Sequence, residues 1–69
     1  MDMEFLTKQY AKACLHHELL NEIITAKLTD GKVTAENLAL YAELLNDTKS
    51  SKEYYERAIA EKEREENKQ

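Results

Sequence analysis

Cys14, His16 and His17 are the residues whose side chains could ligate a transition metal. Zinc accepts thiolate and imidazole ligands, and Cys14 and His17 are three residues apart, on one face of a helix. A closed structural zinc site takes four ligands, and the sequence holds no other Cys or His. Only a symmetric dimer that contributes Cys14 and His17 twice would complete such a site. We favour the simpler interpretation, in which Cys14 packs as a small apolar side chain and no metal or cofactor is bound.

Glu18 and Glu22 are four residues apart and could be read as paired carboxylates for acid–base chemistry or for metal binding. Helical di-iron sites use Glu-x-x-His repeats on facing helices, and here no Glu precedes a His by three positions. No nucleophile elbow, phosphate loop or zinc-protease helix is present either. The two glutamates are therefore interpreted as solvated helix surface, no catalytic residue is assigned, and the protein is predicted not to be an enzyme.

Tyrosine joins a large apolar ring to a polar tip and is common at binding surfaces. Tyr54 and Tyr55 are consecutive, so on a helix they point about 100° apart and one flat neighbour cannot bury both. We predict that one of them packs and that the other reaches solvent or a partner. The candidate partner interface comprises three of the four tyrosines and three residues on the main face of the first helix, namely Tyr10, Tyr41 and Tyr54 with His17, Leu20 and Ile24.

These side chains must be positioned by helices, because the sequence has one glycine, Gly31, and no proline. In the first helix, apolar residues recur at steps of three and four, which predicts one helical stripe. A second stripe beside it, formed by Cys14 or Leu15 with Leu19 and Ile23, widens the apolar surface beyond what one partner helix covers. The first stripe consists of Leu6, Tyr10, Ala13, His17, Leu20, Ile24 and Leu28.

Gly31 is placed to end the first helix in the left-handed conformation, and Thr34 is a good N-cap for the next. The second helix carries Leu38, Tyr41 and Leu45 on one line, with Leu40 and Leu44 beside it. Two alternatives remain for it. Asp47, Thr48, Ser50 and Ser51 favour caps, which predicts a kink or break near residues 47–51; the continued helical spacing from Leu38 to Ile59 predicts a continuous helix.

The fold class is thus an all-α, antiparallel helical hairpin. Residues 1–60 are expected to form the hairpin domain, and residues 61–69, which are charged and lack an apolar face, a frayed C-terminal tail. A 69-residue chain is at the low end of what folds without a disulfide, a metal or association. We therefore predict a homodimer that forms a four-helix bundle.

Composition excludes several functional classes. The net charge of −4 argues against electrostatic binding to phosphate backbones, so no nucleic acid is expected as a partner. No apolar run approaches the roughly 20 residues that span a bilayer, so no membrane is expected either. A single cysteine, Cys14, cannot form an internal disulfide, and no charged and apolar signal segment opens the sequence. These features predict a cytoplasmic protein.

Two short segments resemble known families. Residues 51–59, with Tyr55, Ala58 and Ile59 in order, resemble the second helix of a tetratricopeptide repeat. The hairpin with Glu43 and Leu44 in its second helix resembles the small aspartyl-phosphate phosphatases of sporulating bacteria, whose Ser-Gln-Glu-Leu-Asp motif ends in an essential aspartate. Leu45 stands at that aspartate's position, so the resemblance does not carry over the phosphatase activity.

The function expected from the sequence is that of a small adaptor or regulator, of the kind that bacteria and their phages encode. It would dock an apolar helical face on a partner protein, because helix-in-groove recognition uses anchors spaced by three and four residues. The alternative is a small hairpin enzyme, either a phosphatase of the type just named or a metal-dependent bundle.

Overall fold

The chain folds into two long helices that lie side by side in opposite directions. The computed structural model describes residues 2–67, with α1 spanning Met3–Thr29 and α2 spanning Ala35–Asn67. The hairpin measures 55 × 15 × 14 Å, and the described residues contain no strand. The predicted all-α helical hairpin is therefore confirmed.

Local sequence sets the helix ends. The Asp2 carboxylate accepts a hydrogen bond of 2.8 Å from the backbone N–H of Phe5, which caps the first turn of α1. Gly31 follows the last residues of α1 with a φ of 69°, the left-handed conformation that glycine adopts without steric cost. The Thr34 hydroxyl then accepts from the backbone N–H of Asn37 at 3.1 Å and caps α2. The predicted roles of Gly31 and Thr34 are both confirmed.

Gly31→Ala tests the turn alone, since a Cβ added at this position meets no atom within 4 Å. The positive φ is then the only source of strain, and it costs an L-residue about 1 kcal/mol. We expect the melting temperature to fall by about 4–8 °C in a domain of this size. Thermal melting followed by circular dichroism measures it, with Lys32→Ala in the same loop as the control. Equal melting of the two variants would show that the turn tolerates other conformations.

α2 is one helix from Ala35 to Asn67, without a break at residues 47–51. The Thr48 hydroxyl donates to the backbone carbonyl of Leu45, at 3.0 Å, from within the helix. The cap-forming residues of this segment are thus accommodated within the helix, which is not broken at residues 47–51. The helix also continues through residues 61–67, in which Lys62 is half-buried and the other side chains are exposed.

The two helices meet along a seam of residues spaced alternately by three and four positions. This spacing averages 3.5 residues, the repeat of coiled coils, and keeps one stripe of each helix against the other. Every seam residue is buried or half-buried. On α1 the seam consists of Met3, Leu6, Tyr10, Ala13, His17, Leu20 and Ile24; on α2 it consists of Tyr41, Leu45, Thr48, Lys52, Tyr55, Ile59 and Lys62.

A hydrogen bond between His17 and Thr48 fixes the register of the seam. Counting outward from this layer, the antiparallel arrangement pairs the remaining seam residues across the two helices. The layers towards the loop are Leu20 with Leu45 and Ile24 with Tyr41. The layers away from the loop are Ala13 with Lys52, Tyr10 with Tyr55, Leu6 with Ile59 and Met3 with Lys62.

The core is thin. Within the described residues only Leu6, Ala13 and Ile24 are buried, and all three lie on α1. The middle of the seam is polar, because the His17 layer adjoins the layer that holds Lys52. The two-helix seam leaves nine large hydrophobic side chains of the described residues exposed.

Candidate functional site

The hairpin has two unlike flanks beside its seam. In heptad spacing, one flank of each helix holds residues that come just before a seam residue, and the other holds residues that come just after one. Reversing one helix exchanges its left and right sides, so equivalent flanks of antiparallel helices lie on the same side. Cys14 on α1 and Glu56 on α2, which each follow a seam residue, thus lie on one side of the hairpin.

The apolar flank of the hairpin, as we call it, consists of Leu19, Ile23, Leu40 and Leu44. Each of the four directly precedes a seam residue, and the two on each helix are one helical turn apart on the same side. The register of the seam places all four at the loop end of the hairpin. They are between 39% and 52% exposed, although each is a large aliphatic side chain. The apolar flank is thus a contiguous hydrophobic surface shared by both helices.

The opposite flank is more polar. It carries Asn21 on α1 and Lys49 and Glu56 on α2, all of them exposed. Tyr10 reaches this side from the seam. Its hydrogen bond with Cys14 and the charge of that group, followed by the carboxylate of Glu56, raise the pKa of the Tyr10 hydroxyl above its usual value. The contrast between the flanks makes the apolar one the candidate binding surface.

An open groove continues the apolar flank towards the tail end of the hairpin. It encloses about 560 Å³ and runs past Leu6, Tyr54 and Ala58. Its outer wall is charged, with Arg57, Glu61, Lys62 and Glu65. The Tyr54 ring packs edge-to-face on Tyr55, with ring centroids 5.1 Å apart and planes at 85°. Tyr55 lies in the seam and Tyr54 is exposed, as predicted for one tyrosine that packs and one that reaches solvent.

His17 is held by a hydrogen bond to Thr48. Its Nδ1 lies 2.8 Å from Thr48 Oγ1, and the single proton of that hydroxyl is donated to the Leu45 carbonyl. The threonine oxygen must therefore accept, so Nδ1 of His17 donates this hydrogen bond. The imidazole joins the two helices in the middle of the seam, where it acts as a register contact.

The possible metal ligands diverge. His17 lies in the seam, Cys14 is half-buried on the more polar flank, and His16 is exposed on the other side. No group of three or more His, Cys, Asp or Glu residues that could hold a metal ion occurs among residues 2–67. Glu18 and Glu22 are both exposed. Leu45, at the position of the phosphatase aspartate, is half-buried in the seam.

Five of the six candidate interface residues lie in the seam, namely Tyr10, His17, Leu20, Ile24 and Tyr41. The chain's own second helix or first helix already covers them, and Ile24 is only 5% exposed. The sixth, Tyr54, is exposed beside the groove. Tyr54 and the four residues of the apolar flank are among the large hydrophobic side chains that stay exposed.

The sequence contains the signal for this surface. Leu19 and Ile23 form the second stripe of the first helix, and Leu40 and Leu44 lie beside the main line of the second. The periodicity of the sequence does not show that these two secondary stripes meet on one side of the hairpin. The register and the antiparallel direction supply that, and both depend on contacts between residues distant in sequence.

Comparison with protein-family models, with curated proteins and with solved structures finds no match to this chain. Within residues 2–67, neither helix contains a stretch that is both long and apolar enough to cross a bilayer.

Proposed function

We propose that this chain is a small protein–protein interaction module that works as an adaptor or regulator by docking its apolar flank on another polypeptide, including a second copy of itself. The observation that carries the proposal is the grouping of Leu19, Ile23, Leu40 and Leu44 on one exposed side. Full burial of a leucine or isoleucine side chain contributes about 1.5–3 kcal/mol. Four such side chains that are half-exposed supply a substantial driving force for association.

The shape of this surface favours a helical occupant. Leu19 and Ile23 are four residues apart on α1, and Leu40 and Leu44 are four residues apart on α2. The two pairs line the shallow channel between the two helices. A partner helix with apolar anchors at three- and four-residue spacing fits into such a channel. The polar opposite flank and the net charge of −4 keep the remaining surface hydrated.

The test compares two charge insertions on α1, Ile23→Glu on the apolar flank and Asn21→Glu on the opposite flank. Both residues are exposed, so neither change buries a charge in the seam. Proteins captured from the source cell by tagged wild-type protein should be retained by Asn21→Glu and lost by Ile23→Glu. Capture of the same proteins at equal yield by Ile23→Glu would contradict a binding role for the apolar flank.

A further inference from the structure

We infer that the occupant of the apolar flank is a second copy of this chain, placed so that both loops lie at the same end of a four-helix bundle and α1 of each copy packs on α2 of the other. This inference rests on the proposed function and identifies the partner of that same surface. It rests on the exposed area, the symmetry of the surface and the order of residues along it.

The exposed area matches what a dimer requires. The chain exposes 5575 Å². A compact monomer of 8.0 kDa exposes about 4450 Å² by the scaling of surface with mass. The excess of about 1100 Å² is larger than the area of about 800 Å² that each partner buries in a standard protein interface, so the hairpin has enough surface for one. Covering the apolar flank and its groove with a second hairpin removes an excess of this size.

Only two symmetric arrangements stack one flank on an identical flank. A two-fold axis along the hairpin puts both loops at one end and sets α1 against α2 of the second copy. A two-fold axis across the hairpin puts the loops at opposite ends and sets α1 against α1 of the second copy. All neighbouring helices are antiparallel in both arrangements, so the order of side chains along the flank decides between them.

The same-end arrangement brings apolar residues together. The seam register places Ile23 at a height between those of Leu44 and Leu40, and Ala26 close to the height of Leu40. With the loops at one end, Ile23 faces Leu44 of the second copy, and Ala26 faces the second copy's Leu40. The symmetry repeats both contacts, so the apolar flanks of the two copies merge into one cluster of eight large aliphatic side chains.

Polar residues also match in the same-end arrangement. Towards the middle of the hairpin, His16 and Lys12 lie on the flank of α1, at heights where α2 of the second copy presents Asp47 and Ser51. The alternative arrangement sets Lys12 of one copy against Leu19 of the other and separates the two apolar clusters. Burial of apolar against apolar surface, with polar residues facing polar residues further along, favours the same-end dimer.

Spin labels at the loop distinguish the arrangements by distance. The protein carries Lys32→Cys as the labelling site and Cys14→Ala to remove the native thiol, and circular dichroism verifies its helicity. In the same-end dimer, pulsed electron paramagnetic resonance should give a distance between labels below about 30 Å, since helices in a bundle are 8–10 Å apart. A distance of about 45–50 Å, the rise of some 32 residues, would overturn the arrangement in favour of loops at opposite ends.

A matched pair of variants on α2 assigns the interface. Leu44→Glu and Ala42→Glu insert the same charge at exposed positions one helical half-turn apart. We expect Leu44→Glu to weaken dimerisation at least about 100-fold, because its carboxylate enters an apolar contact twice per dimer, and Ala42→Glu to change it less than about threefold. Equal weakening by both variants would overturn the assignment of the flank.

The outcomes separate this inference from the function on which it rests. The wild-type chain could stay monomeric at 100 times the protein concentration used in the spin-label experiment and still bind another protein through Ile23. That result would overturn the second copy as occupant and leave the interaction role intact. A monomer whose captured proteins are unaffected by Ile23→Glu overturns both. A dimer with a short distance between labels that is lost with Leu44→Glu supports both.

Discussion

We expect Ile24→Asp to abolish the helical fold at micromolar concentration. Ile24 is 5% exposed and packs in the seam layer that it shares with Tyr41, where an aspartate finds no partner for its charge. Burying an unpaired carboxylate costs several kcal/mol, which is comparable to the whole stability of a chain this small. Leu20→Asp, one layer further from the loop, should have the same result.

Circular dichroism and gel filtration test both variants against Glu22→Ala, which changes an exposed residue between them. Glu22→Ala should keep wild-type helicity and size, because it removes only a solvated side chain. Native helicity and wild-type size in Ile24→Asp or Leu20→Asp would mean that α1 presents another face to α2.

Leu6→Ala should cost about 3 kcal/mol, within the range for leucine-to-alanine changes in cores. Leu6 is 3% exposed, the lowest value among the described residues of the core, and pairs with Ile59 near the tail end of the seam. A loss of that size lowers the melting temperature of a small domain by more than about 12 °C. Thermal melting at fixed protein concentration measures the shift.

Leu15→Ala is the matched control, because it makes the same chemical change on the same helix. Leu15 is 55% exposed and points away from α2, so its truncation should stay within about 0.5 kcal/mol of wild type. Similar shifts for the two variants would show that the seam does not supply the core described above, and that the stability resides in another surface.

The hairpin could be predicted from the sequence because its determinants are local. Gly31 is the only glycine, and it lies where α1 ends with a positive φ. The hydroxyl of Thr34 caps the next helix through a neighbour three residues away. The main stripe of α1 also coincides with the seam from Leu6 to Ile24, since periodic burial against one helix leaves a direct imprint on the sequence.

The middle of α2 could not be decided from local preferences. Thr48, Ser50 and Ser51 favour caps in isolation, but the helix runs through them unbroken. Thr48 turns its hydroxyl back to the Leu45 carbonyl and also accepts from His17. The second of these bonds joins residues 31 positions apart, and no local pattern reveals it.

The position of the candidate binding surface could not be predicted from the sequence for the same reason. Each helix carries two apolar stripes, and periodicity does not say which stripe packs within the chain and which stays exposed. The stripe that contains Leu20 and Ile24 packs in the seam, and the stripe that contains Leu19 and Ile23 stays exposed. The candidate binding surface is therefore the apolar stripe that the hairpin leaves exposed.

Sedimentation equilibrium of the wild-type chain at several micromolar concentrations tests the central claim most directly, because a docking surface occupied by a second copy must appear in the mass. Both copies bury their apolar flanks only on association, so the account predicts a species of twice the 8.0 kDa chain mass that dissociates on dilution. The melting temperature should rise with protein concentration in the same range. A single species of 8.0 kDa at every concentration, with melting independent of concentration, would contradict it.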